Sequence, residues 1–180
     1  MKPFIALIGS GSDVLKVGLE QAEEIGRAVA EKDGVLVTGG RGGVMEAASR
    51  GAKENGGLVV GILPGYSRAE ANDFVDIAIP TGLGFALRNF ITIRSADAVI
   101  MIQGEIGTLS EVVLSYQHGK PLVVLETTGG WAGRLREVAL EDGAYLDTRR
   151  LMTIHYAKSG VEAVDLAFSL IGTVPPPHKI

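Results

Sequence analysis

Residues 103–111, QGEIGTLSE, place two glycines, a threonine and two glutamates between an apolar run and a helical pattern. Glycine leaves backbone amides uncovered, and amides at a helix N-terminus hold anions. Gly104, Gly107 and Thr108 are therefore expected to hold a phosphate through amides and hydroxyl. Glu111 has two readings. With Thr108 it fits a capping box, in which each side chain satisfies the other residue's N–H. Turned toward a ligand, it is a general acid/base or stabilises an oxocarbenium ion. One carboxylate serves both tasks only in part. Glu105, inside the loop, repels a phosphate unless a cation pairs with it, and Arg41, Arg88 and Arg94 are the candidates.

Two further glycine loops accompany the first. In IGSGSD, residues 8–13, Gly9 and Gly11 open like a dinucleotide fingerprint, but Val14 stands where its third glycine belongs. The second strand ends in VTGG without an acid for a ribose hydroxyl, which argues against NAD. Ser12 or Asp13 is expected to cap the helix that follows, and Ser10 and Ser12 to reach a phosphate or ribose. In VTGGRGG, the glycines Gly39, Gly40, Gly42 and Gly43 fill four of five positions. Such density costs conformational entropy, which favours ligand contact over a merely crowded junction. Arg41 between them either neutralises a phosphate or is solvated.

Cations come from LGFALRNFITIRSADAVI, residues 83–100. A helical wheel puts Leu87, Phe90 and Ile91 on a buried stripe, with Arg94 in it. A buried arginine requires a partner, here Asp97, Glu105 or Glu111. Arg88 and Thr92 fall off the stripe, leaving Arg88 free to clamp a carboxylate or phosphate. The alternative is a surface Arg88 and an Arg94 that snorkels from the helix end.

These residues must be positioned by alternating strands and helices. Nearly continuous apolar runs predict strands near Phe4–Ile8, Val35–Thr38, Leu58–Leu63, Val75–Ile79, Ala98–Ile102 and Leu122–Leu125, with a seventh near Leu151–Tyr156. Helices are predicted at Val14–Glu31, Val44–Asn55, Phe85–Ser95, Leu109–His118, Ala132–Glu141 and Val161–Ile171, the last capped by Ser159 or Gly160. The alternation implies an α/β, single-domain, Rossmann-like doubly wound fold, with a mostly parallel sheet and helices on both faces. It spans residues 1–172, followed by a short tail, 173–180. Ligands of such sheets bind beyond the strands' carboxyl ends, where all three glycine loops fall.

Composition narrows the function classes. A net charge of -4 argues against nucleic acid: the chain shows no basic stripe, and 6% aromatics make stacking platforms scarce. The chain has no cysteine, which excludes disulfides, thiolate metal sites and a cysteine nucleophile. The histidines, His118, His155 and His178, show no metal-ligand spacing, so no metal is expected. No apolar stretch is long enough to span a bilayer and the start reads as a strand, so the expected location is the cytoplasm.

The segments GGRGGVMEAASRGAKENGGLVVGILP, Arg88-Asn89 and GEIGTLSE resemble those of the Lonely Guy-type, lysine-decarboxylase-like Rossmann proteins. Within that group the chain is most similar to the molybdenum-cofactor-carrier-like branch, over roughly residues 4–125. The family's motif, Pro-Gly-Gly-x-Gly-Thr-x-x-Glu, is matched at Gly104, Gly107, Thr108 and Glu111. Gln103 replaces its proline and Glu105 its second glycine. The resemblance implies a catalytic pair, Arg88 and Glu111, with Asn89 where a lysine usually follows the arginine. Lonely Guy enzymes hydrolyse the N-glycosidic bond of nucleoside 5′-monophosphates, and no cofactor is required. The carrier-like branch implies a phosphate-bearing pterin ligand of molybdopterin type instead, with no bond broken. The lysine decarboxylase label would imply pyridoxal phosphate, but no lysine is placed as a Schiff-base anchor. The resemblance further implies a homodimer or higher homo-oligomer around a small phosphate-bearing ligand such as a nucleoside monophosphate.

Overall fold

A computed structural model describes residues 1–173 of the chain. Seven strands form one parallel sheet: β1 (Phe4–Ile8), β2 (Val35–Thr38), β3 (Leu58–Leu63), β4 (Ile77–Pro80), β5 (Ala98–Ile102), β6 (Leu122–Leu125) and β7 (Ile154–Ala157). Their spatial order is β4-β3-β2-β1-β5-β6-β7. The chain winds outward from β1 to β4, then returns to the other side of β1 and winds outward again. That is the doubly wound α/β fold the alternation implies.

Strand residues alternate between two cores because successive side chains point to opposite faces. Ile5 and Leu7 pack beneath α1 (Lys16–Glu31), α2 (Val44–Glu54) and α7 (Gly160–Leu170). Ala6 and Ile8 face α3 (Gly84–Ser95) and α4 (Ile106–Gln117). The α1–α2 pair meets backbone to backbone. A Cβ at Gly26 would stand 1.9 Å from the Ala48 carbonyl oxygen, and one at Gly51 would stand 2.1 Å from that of Glu23. These two glycines bring α2 down onto α1 and fix where its N-terminus points.

Most elements lie within two or three residues of the sequence expectation. β4 starts at Ile77 rather than Val75, because Asp76 turns aside to accept a hydrogen bond from Val59 N. β7 begins at Ile154 rather than Leu151. The helix expected over Ala132–Glu141 breaks into α5 (Leu135–Val138) and α6 (Leu140–Gly143). Glu141 and Asp142 adopt left-handed φ of 52° and 57°, which folds the chain back so that Leu140 and Tyr145 pair through two backbone hydrogen bonds. Ser159 caps α7 as expected, its hydroxyl accepting from Glu162 N at 3.2 Å. Among the described residues no helix is long and apolar enough to cross a membrane. Beyond Thr173, the expected tail lies outside the described residues.

Candidate functional site

The strand order reverses between β1 and β5, and crevices in open α/β sheets form at such a point. Here the loops after β1, β2 and β5 enclose a cavity of about 460 Å³. Its wall includes Gly9, Ser10, Gly39, Gly42, Arg88, Gly107, Thr108 and Glu111, drawn from all three glycine loops and from α3. Arg41, Met45, Phe85, Asn89 and Glu105 complete much of the rest.

The loop after β5 is built around Gln103. Its φ is 47° and that of Gly104 is 92°. The Gln103 backbone N–H donates to Thr128 Oγ1 at 2.8 Å. Its side-chain Oε1 accepts from Leu15 N at 3.0 Å, and its Nε2 donates to the Asp13 carbonyl at 3.1 Å. One buried side chain thus ties the loop after β5 to the loop after β1. This explains why α1 starts at Lys16, without the Ser12 or Asp13 cap expected of it. Asp13 is held in a left-handed turn (φ 51°), and the orphan N–H of Leu15 is satisfied by Gln103.

The capping box does not form either. α4 begins at Ile106 with Glu105 as its N-cap residue and no side-chain cap, so Thr108 and Glu111 sit in its first and second turns. α2 likewise starts after Gly43 without a side-chain cap. Both N-termini border the cavity through Gly107, Thr108 and Gly42; Val44 N–H of α2 donates to the Ser10 carbonyl at 3.1 Å, and the partial positive charge of each helix end faces the cavity.

The helical wheel of α3 is inverted over most of its length, with only Ile91 of the expected stripe half-buried against the core. Its buried residues are Arg88, Asn89, Thr92 and Ile93, while Leu87 is 57% exposed, Phe90 is 40% exposed and Arg94 is exposed. Arg94 therefore needs no buried partner. Arg88 reaches across the cavity floor to Gly39, where a Cβ would stand 2.0 Å from Nη1. Glycine at that position makes room for the guanidinium. Asn89 Nδ2 approaches the Gly107 carbonyl and Ser110 Oγ at 3.5 Å.

The electrostatics are unbalanced. Arg88 Nε and the Ser10 hydroxyl are buried without a hydrogen-bond partner. Burial, opposed by Glu111 and assisted by Arg41, lowers the Arg88 pKa. Glu111 is 6% exposed, and no hydrogen bond to its carboxyl is formed among the described residues. Burial, only partly offset by Arg88, pushes its pKa up to about 8. Burial thus favours the neutral form of Glu111, which weakens it as a counter-charge to Arg88 on the cavity floor. Glu105 does not supply one. It is exposed at the rim and, among the described residues, pairs with no arginine.

Residues 2–161 match the profile of the SLOG cluster4 family. The chain belongs to the SLOG cluster4 family. This member is similar to the molybdenum cofactor binding protein of Rippkaea orientalis, with 37% identity and a TM-score of 0.82 over 95% of this chain and 98% of that one. It is also similar to the molybdenum cofactor carrier protein of Chlamydomonas reinhardtii, with 33% identity and a TM-score of 0.79 over 94% and 98%. A cytokinin riboside 5′-monophosphate phosphoribohydrolase from Mycobacterium tuberculosis is 30% identical over 158 residues, 81% of this chain and 84% of the relative.

In this SLOG cluster4 chain, three residues of the expected binding set stand away from the cavity wall. Gly40 (φ 72°) packs against Leu63 and Gly61, and Gly43 (φ 67°) against the Ser10 carbonyl. Gly104 sits over the Thr108 side chain. Each has a backbone or packing reason to be glycine. Gly9 lines the cavity but has such a reason too, since its Cβ would meet the Ile102 carbonyl oxygen at 2.6 Å. Gly107 differs: nothing lies within 4 Å of where its Cβ would be, so no packing contact dictates glycine there. Sequence reasoning missed the Gln103 clamp. A glutamine alone gives no signal of a positive φ or of bonds to residues some ninety positions away.

Proposed function

We propose that this protein binds a phosphate-bearing nucleotide or pterin-type cofactor, in the manner of a molybdenum-cofactor carrier. The observation that carries the reading is the buried Arg88, whose Nε has no partner and which faces the cavity beside two uncapped helix N-termini. A buried unpaired donor on a cation is costly, and an anionic ligand relieves that cost. The phosphate is assigned to the Gly107 and Thr108 end of α4, with Arg88 completing its charge. The rest of a nucleotide or pterin fits the remaining cavity, whose volume lies in the range of small-molecule sites. The two carrier proteins to which the chain is similar support the pterin-type ligand.

The φ of Gln103 favours binding over hydrolysis. Proline is confined to φ near -65°, so the Pro-Gly-Gly opening of the resembling hydrolases is incompatible with the 47° found here. A loop with proline at position 103 would therefore take another shape. A phosphoribohydrolase remains the second reading, favoured by Arg88 and Glu111 sharing one cavity and by the mycobacterial relative. In that case protonated Glu111 would donate a proton to the leaving base, and Arg88 would hold the phosphate or ribose.

A second copy of the chain is the proposed partner. α3 and α4 pack on each other and leave Leu87, Phe90, Ile106 and Val113 exposed, an apolar surface suited to a twofold contact.

Mass spectrometry of the ligand retained on purification, with thermal melts in AMP, GMP and phosphate, tests the main reading. A melting temperature raised by at least one of them is expected. Unchanged melting at millimolar concentrations of all three would refute it. Release of ribose 5-phosphate from any of the common nucleoside monophosphates would favour the second reading.

A further inference from the structure

Phe85 is 59% exposed, yet it stands on the inward face of α3. At 100° per residue it lies within about 60° of Arg88, Asn89 and Thr92, and on the opposite side from Leu87, Phe90 and Arg94. Those three neighbours are buried, Thr92 completely. Phe85 shares their face but not their burial, because at the first turn of α3 the cavity lies beneath the helix instead of the sheet. The ring belongs to the cavity wall. Two guanidinium carbons lie close to it, Arg41 Cζ at 5.6 Å and Arg88 Cζ at 5.9 Å from its centroid. Gly82 (φ 66°) and Gly84 (φ 69°) set the turn that brings the ring over the opening.

A large aromatic side chain left in water loses what burial would have given it. Its surroundings also select what can cover it. Two cations at one ring favour an electron-rich π-system, because guanidinium groups stack on and attract aromatic faces. An aliphatic tail would fill the space without using either charge. Resting on the proposed phosphate site, we propose that Phe85 is a stacking platform: it takes the aromatic heterocycle of the ligand while the phosphate lies at the N-terminus of α4. Within the nucleotide and pterin class already proposed, Phe85 is thereby the residue that takes the flat ring. Sugar phosphates and inorganic phosphate use only the anion end of the cavity.

Calorimetric titration of the full chain with AMP, GMP and ribose 5-phosphate tests this. The native protein is expected to bind at least one nucleotide about 5- to 150-fold more tightly than ribose 5-phosphate, the range that stacking of a base on an aromatic side chain supplies. In Phe85→Leu that gap should close while ribose 5-phosphate affinity stays within about twofold, and in Phe85→Trp the gap should persist. The leucine variant keeps the apolar bulk of the helix start, and its melting temperature reports whether it is folded. Two outcomes overturn stacking and leave the phosphate site standing: equal affinity for all three probes, or an equal loss for all three in Phe85→Leu. If none of the three binds at millimolar concentration, the phosphate-site reading fails, and the platform with it.

Discussion

Replacing Glu111 with glutamine should remove a pH dependence that the native protein carries. The Glu111 carboxyl is buried, and its pKa is raised from the ordinary 4.5 to about 8. Between those values the native state holds a proton that the unfolded chain has released. The unfolded state then binds fewer protons, so stability falls as pH rises. The contribution is complete below pH 4.5, declines by about 1.4 kcal/mol per pH unit, and levels off above pH 8. From pH 5 to pH 8 the loss is about 3.5 kcal/mol, and a folded pKa one unit lower would still give about 2.5 kcal/mol. Glutamine has nearly the same shape and does not titrate. Urea denaturation of the native protein and of Glu111→Gln at pH 5 and pH 8 isolates the term, because every other titrating group cancels in the difference of differences. Glu111→Gln should gain 2–4 kcal/mol relative to the native protein over that interval, on the order of the linkage figure. A relative gain below about 1 kcal/mol would mean that the carboxyl is already charged in the native state, and burial would not be holding its proton.

Other expectations follow from the same geometry. Arg88→Met should abolish the melting shift caused by AMP or phosphate while leaving the unliganded protein as stable or more so, since a buried cation with an unpaired donor is replaced by an apolar side chain; a large loss of stability measured in urea would contradict this. Affinity for AMP should fall as pH rises from 7 to 9, because Glu111 releases its proton near pH 8 and places a negative charge beside the anion, and calorimetry on Glu111→Gln should show no such decline. Gln103→Pro should cost about 3 kcal/mol or more, since proline neither adopts φ 47° nor donates to Thr128; an unchanged urea midpoint would show that the loop relaxes freely. Leu87→Glu with Phe90→Glu should give the monomer mass in light scattering if α3 meets a second copy, while a native protein that is already monomeric at micromolar concentration would remove the partner reading.

Much of the fold could be read from sequence because parallel strands buried on both faces leave continuous apolar runs. FIALI, VLVT, AVIMI and LVVL became β1, β2, β5 and β6 within the boundaries expected. The glycine loops were equally visible, but their density concealed two different roles. Gly40, Gly43 and Gly104 answer to backbone conformation and close packing, whereas Gly39 and Gly42 border the cavity. A sequence shows that glycine is present without showing which of its properties the position uses. The caps failed for a related reason. Ser12, Asp13, Thr108 and Glu111 are locally suitable, yet Gln103 satisfies Leu15 from across the sheet, and α4 starts at Ile106, ahead of Thr108. Long-range bonds of this kind have no local signature.

The inversion of α3 carries the most functional information. A helical wheel assumes that apolar residues face inward, because burial of apolar area outweighs other terms over most of a protein surface. In α3 the assumption fails over one stretch: Arg88 and Asn89 are buried while Leu87 and Phe90 are exposed. Burying a guanidinium in place of a leucine on the same helix is unfavourable for folding alone. The sequence therefore sacrifices stability at α3, and such sacrifices concentrate where a function requires a polar group in a fixed place. Here the inward face lies over the cavity, and its cation lacks a partner. The outward face keeps the apolar residues that the core does not take. On the proposed reading, the inward half answers to an anionic ligand within the cavity and the outward half to a second copy of the chain. A single substitution separates them. Arg88→Leu should relieve the inward cost without touching the outward face, so ligand response should vanish while light-scattering mass is retained. Loss of both together would mean that ligand site and subunit contact are one structure, and the division of α3 into two independent faces would be wrong.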